Sequence, residues 1–138
     1  MVLGTEPVST IMSAEVHCVN MKQNVRDAIT LMAANDIRHL VVTNDNDELS
    51  GIISKNDVDK FRPRRNSPSE FNEKIIENLR IEHMMTKNVR TVEHLDPIKY
   101  AAELISHCSY NALPVMDDNK LVGIVTTTDL LTYLLRHC

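Results

Sequence analysis

Apolar and polar positions run through the same succession of spacings twice along this chain. Val16-His17-Cys18-Val19 reads as a short strand. Asn24 then stands where a helix N-cap is wanted, with Asp27 three places on in the first turn. Val25, Ala28, Ile29 and Met32 follow at helical spacing and predict one buried stripe. Residues 38–43 (Arg-His-Leu-Val-Val-Thr) read as a second strand, 45–48 as a polar turn and 49–54 (Leu-Ser-Gly-Ile-Ile-Ser) as the partner strand of a hairpin. A further helix is expected from Asn56 to Phe61.

The succession then repeats. Val89 to Val92 is the short strand, and Asp96-Pro97 predicts a helix start with the cap followed by Pro at the first helical position. Ile98, Ala101, Ala102 and Ile105 make the buried stripe. Leu113–Met116 and Leu121–Thr126 form the second hairpin, and Asp129–Leu135 the last helix. The apolar run of that helix (Leu130, Leu131, Tyr133, Leu134, Leu135) is wide enough to pack against another subunit as well as its own sheet.

Residue identities follow the spacing. Met12 falls on Met85, Ala28 on Ala101 and Leu40 on Leu113, each at an offset of 73, and Asp57 falls on Asp129 at an offset of 72. The one-residue loss lies in the second hairpin turn, where chain length is tolerated. Gly51-Ile-Ile-Ser-x-x-Asp57 and Gly123-Ile-Val-Thr-x-x-Asp129 are the sharpest matching pair. The chain reads as an internal duplication: repeat 1 over 8–60, a linker over 61–80 and repeat 2 over 81–135. In the linker, Ser69 to Leu79 reads as a helix capped by Ser69, and the arginines at 62, 64 and 65 as a solvated stretch before a minority reading as a phosphate contact.

Composition narrows the class. The 138 residues, 43% of them apolar, suit one compact domain or two very small ones sharing a core. A net charge of −4 and the absence of Trp argue against a nucleic-acid binder. No apolar run reaches membrane-spanning length. An N-terminus without signal character and three scattered cysteines (Cys18, Cys108, Cys138) point to the cytoplasm and free thiols.

Chemistry concentrates at the hydroxyl-x-x-Asp steps. Taken singly, Ser54-x-x-Asp57 and Thr126-x-x-Asp129 are capping boxes, in which hydroxyl and carboxylate satisfy each other's backbone N–H. The same geometry suits a nucleoside phosphate: the helix start attracts an anion, and the carboxylate accepts from paired ribose hydroxyls. On this reading the Asp serves either the cap or the ribose, not both. Arg38 opens a strand and either snorkels to solvent or pairs with a phosphate. Its counterpart in the second copy is Asn111, while Arg90 takes the place of His17. The six histidines show no ligand spacing, so no metal site is expected. With no triad spacing and no Gly-rich phosphate loop, no catalytic residue and no catalytic cofactor are expected, and the chain reads as a non-enzyme.

Ile11-Met12-Ser13, Ala28, residues 37–42 and Gly51-Ile-Ile-Ser-x-x-Asp57 resemble one cystathionine-beta-synthase (CBS) domain. Met84-Met85-Thr86, Ala101, residues 111–115 and Gly123-Ile-Val-Thr-x-x-Asp129 resemble a second, so the resemblance spans Val8 to Leu135. It implies an α+β fold of two β-α-β-β-α repeats related by pseudo-twofold symmetry, forming a CBS pair that dimerises through helices. It also implies clefts between the repeats for an adenosine ligand: AMP, ADP, ATP or S-adenosylmethionine. Carried over by position, the preferred cleft takes Thr126, Asp129 and Ile124 from the second copy and Met12, His17, Ile37 and Arg38 from the first. The second cleft takes Ile52, Ser54 and Asp57, closed by Met85, Arg90, Tyr110 and Asn111. Val41 departs from the family pattern, which has Pro as at Pro114.

The reading that results is a homodimeric, cytoplasmic regulatory sensor of an adenosine ligand, acting on an unidentified regulated protein. The rival is a protein-interaction module with degenerate clefts, in which the Asp residues only cap helices. A third reading is a redox or metal sensor using Cys18, Cys108 and the histidines.

Overall fold

Each half of the chain folds in the order its apolar pattern predicts, except that its opening segment is built into the other half. The computed structural model describes residues 2–60 and 77–138. In the first half β1 (Cys18–Asn20), α1 (Val25–Asn35), β2 (His39–Thr43), β3 (Leu49–Ser54) and α2 (Lys55–Asp59) follow one another. The two-residue strand β4 (Thr86–Lys87) comes next. The second half continues with β5 (Val92–Glu93), α3 (Ile98–His107), β6 (Ala112–Asp117), β7 (Lys120–Thr126) and α4 (Thr127–Arg136). The expected linker helix and arginine stretch fall mostly outside the described residues; of that helix, Glu77 and Asn78 are helical.

Two sheets result. One has the order β1-β2-β3-β4, with β1 parallel to β2 and the other pairs antiparallel. The other has the order β5-β6-β7, parallel and then antiparallel. The chain divides into two compact units, one of Met1–Val16 with Arg90–Cys138, the other of His17–Val89. Their boundaries cut across the sequence repeats.

The leader of repeat 1, a single 3-10 turn (Val8–Thr10) with the residues beside it, sits on the body of repeat 2. Val8 N–H donates to Asp96 O (2.8 Å), Ser9 N–H to His94 O (2.9 Å) and Ile98 N–H to Glu6 O (2.9 Å). Ser13 and Ile124 then exchange both backbone bonds, at 2.9 and 3.0 Å, on the free edge of β7. The leader of repeat 2, the 3-10 turn Ile81–His83, repeats every bond on the body of repeat 1. Ile81 N–H donates to Gln23 O (2.9 Å), Glu82 N–H to Met21 O (3.0 Å) and Val25 N–H to Leu79 O (3.0 Å), and Thr86 pairs with Ile52 on β3. Each leader also plants one aliphatic side chain in its host core: Val8 among Val92, Leu113, Val115 and Val125, and Ile81 among Val19, Val25, Leu40 and Ile53. Both are fully buried. Burial of one such side chain is worth about 1.5–3 kcal/mol.

The exchange corrects one expected helix start. Asp96 does not cap α3; its Oδ2 accepts from Glu93 N–H (2.9 Å), and Pro97 is the N-cap residue. The orphan amides of α3 at Ile98 and Lys99 are taken instead by the carbonyls of Glu6 and Gly4, both at 2.9 Å. Asn24 does cap α1, accepting from Arg26 N–H at 2.8 Å. Of the expected α1 stripe Val25, Ala28 and Met32 are buried and Ile29 only partly so, while in α3 the buried set is Ile98, Ala101 and Leu104. Ala102 and Ile105 are only partly buried, on the flank of that stripe. Among the described residues no helix is long and apolar enough to cross a membrane.

Candidate functional site

The shared geometry of the two hydroxyl-x-x-Asp steps begins with the strand that precedes them. β7 ends at Thr126 in extended backbone, and α4 starts at the next residue. Thr126 Oγ1 accepts from Asp129 N–H (3.3 Å), while Asp129 Oδ2 accepts from Thr126 N–H (2.8 Å). The Thr126 hydroxyl also donates to the same Oδ2 (3.1 Å). In the other unit Ser54 Oγ accepts from Asp57 N–H (3.1 Å) and Asp57 Oδ2 accepts from Ser54 N–H (2.8 Å). Both steps are therefore complete capping boxes.

Capping does not exhaust the carboxylate. An ionised Asp offers two oxygens and about four acceptor positions. The cap engages Oδ2 at both sites, and Oδ1 has no hydrogen-bond partner among the described residues. The cap therefore need not use up the Asp: one oxygen holds the helix start and the other keeps its acceptor capacity.

The strand-mouth residues are fixed to these steps by backbone bonds within each unit. Lys55 N–H donates to Arg38 O (2.8 Å), and Thr127 N–H donates to Asn111 O (3.0 Å). The surroundings of the two steps consequently differ in charge. Arg38 and Lys55 lie by Ser54 and Asp57, whereas Asn111 and Thr127 lie by Thr126 and Asp129.

Each expected cleft draws residues from both compact units. Of the preferred set, Met12, Ile124, Thr126 and Asp129 belong to one unit, and His17, Ile37 and Arg38 to the other. Of the second set, Ile52, Ser54, Asp57 and Met85 share the second unit, while Arg90, Tyr110 and Asn111 belong to the first. Within the units the structure brings leader and motif together. A Cβ placed on Gly123 would lie 2.5 Å from Met12 Sδ and 2.9 Å from Ser13 O; one on Gly51 would strike Thr86 O and come within 3.1 Å of Met85 Sδ. The motif glycine is required because a leader crosses directly over it. Tyr110 accepts from Arg90 N–H at 2.7 Å. Burial pushes its phenol above the ordinary value, and the Arg90 N–H opposes that shift.

Sequence reasoning did not anticipate a groove of about 320 Å³ beside α4. Asp129, Tyr133, Arg136 and His137 line it from the helix and the leader residues Glu6 and Thr10 from the opposite side. Asp129, Tyr133 and Arg136 recur at helical spacing, which is the signal that could have found it. A second, smaller groove of about 210 Å³ lies between α1 and α2, with Arg38, Lys55, Asp36 and Asp59 around Ile29, Met32 and Val58. Cys18 is exposed, and partial burial of its thiol together with the charge of Asp47 pushes its pKa up. Among the described residues no group of three His, Cys, Asp or Glu side chains could hold a metal ion.

The family model of the CBS domain matches residues 8–63 and again 81–136. The chain belongs to the CBS domain family. A CBS domain-containing protein of Dictyostelium discoideum is 33% identical over 135 residues, covering 94% of this chain and 91% of that protein. A homoserine O-acetyltransferase of Methanobrevibacter ruminantium is 27% identical over 96% of the chain, but the chain spans only 25% of that enzyme. Among solved structures, the CBS domain pair of protein MJ0100 in complex with 5′-methylthioadenosine and S-adenosyl-L-methionine superposes with a TM-score of 0.79 at 25% identity. It covers 96% of this chain and 98% of its own. CBSX2 in complex with AMP superposes at 0.74 with 26% identity, covering 96% and 98%. The α+β fold is that of a CBS pair.

Proposed function

We propose that this CBS pair is a regulatory module that binds an adenosine-containing ligand through Thr126 and Asp129, with Met12 and Ile124 beside them. The observation that carries the proposal is the division of labour on Asp129. Oδ2 is held by the cap, Oδ1 is left as an acceptor, and the residue borders a groove of about 320 Å³. A carboxylate oxygen fixed on a rigid helix start accepts well from a ribose hydroxyl, because the cap already holds the side chain in place. Related CBS pairs supply the ligand class: one was crystallised with 5′-methylthioadenosine and S-adenosylmethionine, another with AMP. Ser54 and Asp57, with Ile52 and Met85, form the equivalent half-site in the other unit.

Calorimetric titration of AMP, ATP and S-adenosylmethionine into wild type and Asp129→Ala tests the assignment. Binding of whichever compound wild type accepts should weaken by about 1–3 kcal/mol, the scale of a hydrogen bond to a charged group. Equal affinities in the two proteins would overturn it.

A second reading rests on α4. Leu131, Leu134 and Leu135 are 55%, 44% and 77% exposed on one helix of the first unit. Such a leucine face fits a second copy of the chain or the regulated protein. A thermal-shift screen separates the readings, since a ligand that binds only the native state raises the melting temperature. A shift with an adenosine compound supports the sensor; none with any of them supports the interaction module.

A further inference from the structure

We infer that the groove beside α4 selects an adenosyl sulfonium amino acid, of which S-adenosylmethionine is the example, over an adenine nucleotide. The inference rests on the proposed role of Asp129 and adds what the rest of the groove recognises. Three charges lie in order along it. Asp129 is at one end, on the first turn of α4. Glu6 comes next, held by the Tyr133 hydroxyl, which donates to Glu6 Oε1 (3.1 Å) and accepts from Gly4 N–H (2.8 Å). Arg136, in the last turn, closes the far end, and His137 is beside it with its ring centroid 4.4 Å from that of Tyr133, the two planes tilted by 47°.

Arg136 lies seven residue steps along the helix from Asp129, a rise of about 10 Å. That is roughly the extended distance from the ribose diol of an adenosyl sulfonium amino acid to its carboxylate, counted along single bonds of about 1.5 Å. With the diol on Asp129, the sulfonium and ammonium charges fall beside Glu6, and the carboxylate reaches the guanidinium of Arg136, which binds such groups through paired N–H donors. A nucleotide fits this order badly. The phosphate of AMP stops short of Arg136 and lies beside the Glu6 carboxylate, where like charges repel. The inner phosphates of ATP meet the same repulsion. 5′-Methylthioadenosine has the diol and the sulfur but none of the three charges, so it isolates the adenosine part of the recognition.

The test is a set of titrations of S-adenosylmethionine, 5′-methylthioadenosine, AMP and ATP into wild type, Glu6→Gln and Arg136→Gln. Wild type should bind S-adenosylmethionine about tenfold or more tighter than 5′-methylthioadenosine, the worth of one charge-assisted contact. Each variant should bring the two affinities together while leaving 5′-methylthioadenosine unchanged. Both substitutions are isosteric or exposed, and a general loss of structure would weaken both ligands alike. Binding of 5′-methylthioadenosine with no advantage for S-adenosylmethionine, tighter binding of AMP or ATP, or an unchanged ratio in the variants would overturn the inference and leave the role of Asp129 standing. Failure of all four compounds to bind wild type would overturn both.

Discussion

The step from β3 into α2 and the step from β7 into α4 share a hydroxyl, a carboxylate and a leader passing over a glycine, yet they stand in different electrostatic company. Around Ser54 and Asp57 the flanking residues are Arg38 and Lys55; around Thr126 and Asp129 they are Asn111 and Thr127. The capping bonds are nearly superimposable, but the Thr126 hydroxyl also donates to Asp129 and the Ser54 hydroxyl makes no such bond to Asp57. Duplication thus preserved the backbone device, which folding needs, and released its surroundings, which decide what is bound. The two steps therefore differ more in the residues beside them than as folding elements.

Substitution of the motif glycines should have the largest effect and sharpen the comparison most. At Gly51 the nearest obstacle to a Cβ is a backbone carbonyl, that of Thr86, whereas at Gly123 it is the end of the flexible Met12 side chain. Both Gly51→Ala and Gly123→Ala should destabilise by about 1–3 kcal/mol, the cost of overpacking, with Gly51→Ala the more severe. Urea unfolding reads the difference, and the reverse ranking would show that the leaders are held differently from the contacts described.

Removal of the capping hydroxyls comes next. Ser54→Ala and Thr126→Ala should each cost about 1 kcal/mol. Thr126→Ala should cost more, because it loses two bonds and opens a helix of ten residues, Thr127–Arg136. Thermal melts of the pair check this, and equal losses would mean that the extra bond to Asp129 contributes nothing.

The smallest expected effect concerns the hairpin turns. In the first half Asp45 accepts from Lys22 Nζ and from Asn20 Nδ2 (3.2 Å). Those bonds, that of Lys22 above all, hold its carboxyl below the ordinary value. In the second half the turn is tied instead by Asp118 N–H to Glu93 Oε2 (3.1 Å). A lowered carboxyl pKa stabilises the fold above the unfolded value and loses that contribution as the pH falls through the folded one. The stability difference between wild type and Asp45→Asn should therefore shrink from neutral pH into the acid range. A pH-independent difference would assign Asp45 a role other than its charge.

Most of the local structure was legible because it is written in local chemistry. The Asn24 cap, the hairpins around 44–48 and 117–120, and both capping boxes follow from residues within a few positions of one another. The exchange of leaders was not legible in the residues themselves; only the family resemblance set Met12 with Ile124 and Asp129, and Met85 with Ile52 and Asp57. Val8 and Ile81 are equivalent by duplication, so either would complement either body, and no residue marks the choice. The misassigned start of α3 has the same origin: Asp96-Pro97 reads as a cap until Glu6 and Gly4, distant in sequence, supply the acceptors. At the candidate site the hydroxyl and the Asp were legible, but not that one carboxylate oxygen remains after capping. The groove along Asp129, Tyr133 and Arg136 was hidden because its other wall, at Glu6 and Thr10, belongs to a leader that sequence order assigns to the other repeat.

The leaders carry a consequence for how such a chain can be divided. A cut between the repeats would separate each α/β body from the segment that completes its own edge and supplies a plug for its core. Each fragment would keep only the piece its sibling lacks. Mixed together, the two should rebuild by complementation what neither achieves in isolation.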